Sequence, residues 1–211
     1  MTDSSPLLAK VQMPEKGVFA VRCPHAGFAR GQEVVVNLGY GPDIGTVLGT
    51  ESYDPAVHGI TVPGYQLLRA KTAEDARTAE ANAASVMSLR KVFLAMAQQV
   101  APDIRLLHMR LSLGRVRLFA WYACPSRRCD LASVAKDFEQ REKLHVFVRQ
   151  LGPRDEVGML GAMGPCGRPC CCATWQTRYP AGLTPERIRE CASSQPNGIC
   201  GRYKCCLAFE G

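Results

Sequence analysis

The sequence predicts an α+β protein. It reads as a small N-terminal β-rich half-barrel, a long helix, an antiparallel sheet with helices on one face, and a C-terminal cysteine-rich loop lobe. Three observations carry this reading. Short β-prone segments separated by glycines fill the first part of the chain, an alanine-rich helical pattern follows, and late in the chain periodicity gives way to a cysteine motif that occurs twice. The corresponding divisions are residues 1–70, a β-rich subdomain; 71–151, an α+β subdomain; and 152–211, a cysteine-rich metal-binding lobe.

In the first division Gly17 to Cys23 reads as the opening strand, Gln32 to Asn37 as the second and Ile44 to Leu48 as the third, with turn chemistry at Tyr40-Gly41-Pro42-Asp43. Glu51 to Gly64, broken by Pro55, Gly59 and Pro63, reads as an irregular connection. Thr72 then offers an N-cap and Asp75 its reciprocal partner, so a helix is expected from there to about Val100, stopped by Pro102. At the standard rise it is about 40 Å long.

Alternating apolar positions at Leu107, Met109, Leu111 and Leu113 predict a strand, Gly114 a turn, and Arg115 to Tyr122 the returning strand. Asp130 precedes a helix whose buried stripe is Leu131, Val134, Ala135 and Phe138, and His145 to Val148 closes the unit as a strand.

The chain has 211 residues, 46% of them apolar, enough for a sizeable core. The polar start, Met1 to Pro6, predicts no signal peptide, and no apolar run is long enough to span a bilayer, so the expected location is the cytoplasm, without membrane insertion. The net charge of +7 is concentrated between Ile104 and Arg154, where eleven Lys or Arg face four Asp or Glu. That surplus suits an acidic partner, and Arg110, Arg115 and Arg117 on the expected hairpin are candidate nucleic-acid or partner contacts. No nucleophile elbow, phosphate-binding loop with lysine or dinucleotide fingerprint is present, and the expectation is a protein without catalysis of its own.

The strongest signal is Cys166-Gly167-Arg168-Pro169-Cys170-Cys171-Cys172, answered 34 residues later by Cys200-Gly201-Arg202-Tyr203-Lys204-Cys205-Cys206. Both read C-G-R-x-x-C-C. Reduced cytosolic thiols at fixed spacing ask for a soft metal, and Arg168 and Arg202 are placed to offset thiolate charge. Zinc would take four ligands as paired cysteines, whereas a cubane takes four thiolates, so six matched cysteines exceed one cluster and fall short of two. A shortfall of that kind fits a cluster completed by Cys170 or by a partner chain.

The run G-P-R-D-E, then G-x-x-G-P-C-G-R-P-x-C-C, then N-G-I-C-G-R-x-x-C-C-L resembles the YaaT/RicT family (stage 0 sporulation protein YaaT; polymerase-suppressor C-terminal domain). That resemblance implies a cytoplasmic, non-catalytic regulatory subunit. It further implies assembly with small helical proteins of the YlbF and YmcA type, a role beside RNase Y in mRNA processing, and iron–sulfur clusters of the four-iron (4Fe-4S) kind. The family's ligands map onto Cys166, Cys171, Cys172, Cys200, Cys205 and Cys206, with Cys170 a possible extra ligand. Cys170 stands where the family has an apolar residue, the segment from Trp175 to Pro196 is short, and Cys191, Cys124 and Cys129 fall outside the family pattern. Two alternatives stay open: a zinc-stabilised RNA-binding module, and a redox or iron sensor. Direct thiol redox chemistry is weaker, since the C-x-x-C spacing is absent.

Overall fold

The computed structural model describes residues 6–14, 17–54, 64–125, 129–191 and 195–209. The expected connection at Glu51 to Gly64 and the Cys124–Cys129 segment therefore lie partly outside the described residues. Two compact units interleave along the sequence. One comprises Met1–Met96, Met109–Phe119 and Ala132–Phe147; the other comprises Ala97–His108, Ala120–Leu131 and Val148–Gly211.

The first unit contains a five-stranded closed barrel in the order β1-β2-β5-β3-β4: β1 Leu7–Met13, β2 Gly17–Cys23, β3 Glu33–Asn37, β4 Pro42–Ser52 and β5 Gln66–Ala70. The curl expected as a half-barrel closes completely, because β1 and β5, both missed in the sequence reading, supply the remaining partners. β1 pairs antiparallel with β2 (Leu7 opposite Cys23) and with β4 (Leu7 opposite Ser52), and its register shifts between Lys10 and Val11. The shift places an extra residue, Leu48, in β4. In β1, Ala9, Val11 and Met13 alternate inward, and Leu8 is fully buried as well. Gly45 is required inside: a Cβ there would collide with the Val11 and Met13 side chains.

The long helix α1, Ala73–Val100, starts as anticipated. The Asp75 carboxylate accepts from the Thr72 backbone N–H at 2.8 Å, and the Thr72 hydroxyl accepts from the Asp75 N–H at 3.3 Å. Arg69 of β5 grips the same carboxylate with both guanidinium nitrogens, and this bond is the main reason that the Asp75 carboxyl is held well below the usual range; the Thr72 bonds lower it further. A depressed folded-state pKa stabilises the fold above the unfolded value of about 4, and the benefit fades as pH falls toward the folded value. Asp75→Asn is therefore expected to be less stable than wild type at pH 7, with the gap narrowing below about pH 4. Urea midpoints at pH 7 and pH 2.5 check this; an equal gap at both would contradict it.

Strands β6 Arg105–Leu111, β7 Arg117–Ala123 and β8 His145–Gln150 form a second sheet in that order. Helix α2, Ala132–Glu142, buries Val134, Ala135 and Phe138, the expected stripe, with Phe138 edge-on to Phe93 of α1 at 5.3 Å. Two backbone bonds advance together, His145 N–H to the Val116 carbonyl and Leu151 N–H to the Tyr122 carbonyl, so β8 runs in the same direction as β7. The sheet is thus mixed rather than wholly antiparallel: the α2 crossover is long enough for a parallel return, which a tight hairpin could not make.

The hairpin arginines are committed within the first unit. Arg110 pairs with buried Asp43 and lies over Phe119, Arg115 bonds Asn82 and Ser85 of α1, and Arg117 lies over the Tyr40 ring. Among the described residues no helix is long and apolar enough to cross a membrane.

Candidate metal centre

The cysteine repeat is a structural repeat. In the first copy Met163 bridges to Pro169, Gly164 N–H donates to the Arg168 carbonyl at 2.8 Å, Gly167 N–H to the Gly164 carbonyl at 3.0 Å, and Cys170 N–H to the Ala162 carbonyl at 2.8 Å. In the second, Asn197 bridges to Tyr203, Gly198 N–H donates to the Arg202 carbonyl at 2.8 Å, Gly201 N–H to the Gly198 carbonyl at 2.9 Å, and Lys204 N–H to the Pro196 carbonyl at 2.8 Å. Every one of these contacts is displaced by 34 residues. Gly167 and Gly201 sit at φ 72° and 79°, a left-handed geometry that an L side chain resists, which explains glycine after each leading cysteine.

Each copy then closes in a 3-10 turn, Cys171–Ala173 and Cys205–Phe209, that carries the vicinal cysteines. A short helix opening on proline precedes each knuckle: α3, Pro153–Leu160, and α4, Pro185–Glu190. Gly158 of α3 permits close approach to the first turn, since a Cβ there would lie 3.1 Å from the Cys172 carbonyl oxygen. Trp175 and Phe209 are equivalent positions of the two copies, and their exposed rings meet at 5.4 Å.

The two knuckles face one cleft. It is lined by Cys166, Cys170, Cys171, Cys172, Cys200, Cys205 and Cys206, so all six expected ligands and the possible seventh are brought together. All eleven cysteines carry free thiols; Cys166 is exposed, and the other cleft cysteines are half-buried. Cys170 and Lys204 are equivalents: the extra cysteine of one copy answers a lysine in the other, and both line the cleft.

Burial pushes the Cys170 thiol up, and the proximity of Cys172, Cys171, Cys200 and Cys166 pushes it further. Cys172 is raised by burial first and by Cys200 and Cys205, with Arg154 opposing. Thiols from both copies thus feel one another's charge. The donor chemistry suits a thiophilic metal or cluster. Among the described residues no three Cys, His, Asp or Glu side chains converge on a single-ion position; the thiols surround the cleft instead of meeting at a point.

Arg154, to which the sequence assigns no role, lines the cleft beside these thiols, as does Lys204. Arg168 and Arg202, expected in that place, are exposed, with Arg202 laid over the Tyr179 ring at 5.4 Å. Arg154 lies within the G-P-R-D-E run that carried the family resemblance, the one signal that could have found it.

The remaining cysteines stand apart from the cleft lining. Cys23 is a buried strand residue whose Sγ reaches the His25 carbonyl at 3.1 Å. Cys124 lies 3.6 Å from Asp103, Cys129 is buried, and Cys191 Sγ lies 3.9 Å from the Leu207 carbonyl.

Fold and site together define a class: an α+β protein with a closed five-stranded barrel and a duplicated cysteine lobe whose two knuckles face one thiol-lined cleft. Comparison with known proteins points the same way. The chain is similar to stage 0 sporulation protein YaaT of Bacillus subtilis (strain 168), with 27% identity over 118 residues, which supports the resemblance to the YaaT family. The match covers 56% of this chain and 42% of that relative, less than half its length. No family model matches the chain, and no solved structure matches it.

Proposed function

We propose that this chain is a non-catalytic regulatory or accessory subunit that binds an iron–sulfur cluster, of the 4Fe-4S kind, through Cys166, Cys171, Cys172, Cys200, Cys205 and Cys206. In that role it modulates RNase Y-dependent mRNA processing together with YlbF- and YmcA-like partners. The observation that carries the metal part is the meeting of both knuckles at one cleft lined by seven cysteines. Spacing does not choose between iron–sulfur and zinc; the resemblance of the double motif to the YaaT/RicT family is what inclines the reading to the former.

When bound, a cluster would supply a redox-active, oxygen-sensitive thiolate-ligated centre. The chain's own contribution is to hold two thiol-bearing turns face to face, to keep them half out of water, and to leave Cys166 exposed at the rim. Six matched thiols are more than one cubane uses, so the surplus suits a cluster completed at an interface with another subunit.

The test is anaerobic purification of the full chain with counting of iron, sulfide and zinc and a visible spectrum. Broad absorption near 400 nm with about four iron and four sulfide per cluster is expected. A colourless protein with one zinc per chain would replace this reading with the zinc-stabilised module, and neither metal would remove both.

A further inference from the structure

Three charged side chains are buried among the described residues: Asp43, Asp75 and Arg154. Asp43 and Asp75 are each gripped by an arginine. Arg154 differs. It is the second residue of α3 and 4% exposed, and no carboxylate takes a hydrogen bond from it. Its terminal nitrogens donate to the carbonyls of Gln176, Thr177 and Arg178, the strand of loop that leaves the first knuckle, while its Nε is buried without a hydrogen-bond partner.

A cation out of water is costly unless negative charge lies close by. Asp155 adjoins it in the chain, and on the cleft side Arg154 shares its lining with sulfur, Cys205 of the second knuckle and Cys172 of the first. Its guanidinium also lies over the Tyr179 ring at 5.6 Å, beside Arg202 over the same ring. The corresponding helix of the second copy, α4, buries Ile188 at the equivalent position instead of a charge.

We propose that Arg154 is a charge-compensating positioning residue of the cysteine lobe: it ties the first knuckle's trailing loop to the second knuckle's thiols and offsets the negative charge of metal-bound thiolates. The proposal rests on the metal reading above. A tetrathiolate site carries net negative charge in either metal form, so the role holds for a cluster and for a single ion. Adding an electron to a cluster adds negative charge, so a fixed cation beside it favours the reduced form and raises the reduction potential.

Arg154→Met removes the charge while keeping an apolar stem, and Arg154→Lys keeps the charge while losing the planar fork. Two readouts on the full chain separate charge from fold. Reduced, metal-free protein is titrated with Co²⁺ alone, read by its thiolate charge-transfer band; anaerobically loaded protein is titrated potentiometrically. Arg154→Met is expected to bind Co²⁺ about tenfold more weakly and to lower the cluster potential by about 59 mV, the one-electron equivalent of tenfold. Arg154→Lys is expected to recover most of both. Wild-type values in a folded Arg154→Met protein would overturn the proposal while leaving the metal reading intact. Equal losses in both variants would overturn the charge role in favour of a purely structural fork. Should Arg154→Met lose its far-UV signature, Arg154→Lys decides alone: near-wild-type potential and affinity support the role, and their collapse overturns it. A wild-type chain that takes up neither Co²⁺ nor iron overturns the proposal together with the reading beneath it.

Discussion

Cys200→Ser is expected to reduce bound metal to below about a tenth of the wild-type content, and Cys166→Ser to do the same. Each residue leads its knuckle, is followed by a left-handed glycine, and lines the shared cleft. Serine keeps the size of the side chain but offers a hard, protonated oxygen where a soft thiolate is needed. The leading cysteine has a fixed place in each knuckle, so a spare thiol elsewhere in the cleft does not take over that position. Metal binding by such a lobe also contributes folding free energy, so amide protection in residues 153–209 should fall with the metal while the barrel amides keep theirs. Cys170→Ser provides the contrast. Its place in the second knuckle is held by Lys204, so a site built on the repeat does not need it, and metal content near wild type is expected. Wild-type metal in both Cys166→Ser and Cys200→Ser would refute the ligand assignment. Loss in Cys170→Ser equal to theirs would make the three-cysteine run the site and the repeat incidental.

The repeat was legible in the sequence because its determinants are local. A cysteine, a glycine able to take positive φ, and a pair of cysteines one short turn later specify each knuckle without help from distant residues, and identical spacing announced identical structure. Helix α1 was legible for the same reason, through Thr72 and Asp75. What escaped depends on distant partners. β1 escaped because Leu8 and Ala9 are both buried at its start, which blurs the alternation of Ala9, Val11 and Met13. β5 escaped because it is a strand mostly by pairing with β3: only Leu67 of its five residues is buried. The direction of β8 follows from the crossover rather than from its own composition. Arg154 escaped for a third reason: one arginine at a helix start has no periodicity to betray it, and only the loop from Gln176 to Arg178 and the thiol cleft give it meaning.

The basic hairpin is where residue type and surroundings part most clearly, and the second large effect is expected there. Arg110→Ala should destabilise the first unit by about 3–5 kcal/mol, the cost of stripping one partner from a buried ion pair. Its guanidinium meets Asp43 with two parallel bonds, Nη1 to Oδ1 at 2.8 Å and Nη2 to Oδ2 at 3.0 Å, and Asp43 is 1% exposed at the start of β4. Tyr40 adds a hydrogen bond to the same carboxylate at 3.1 Å, and burial next to that carboxylate pushes the phenol's pKa well up, so Tyr40 stays a donor. The Tyr40 hydroxyl and the Ile44 backbone N–H, at 3.0 Å, would remain, but two neutral donors do not neutralise a carboxylate that has lost its guanidinium. The Arg110 side chain also covers Phe119 at 5.0 Å, so truncation removes packing as well as charge. Urea unfolding followed by far-UV circular dichroism, with amide exchange in β3 and β4 as the local probe, measures the loss. Arg110→Met with Asp43→Leu should recover much of it, because removing both charges leaves no orphan. A loss below about 1 kcal/mol in Arg110→Ala, the value of an exposed pair, would mean that water takes the place of the guanidinium at Asp43 and that the pair is not a buried one.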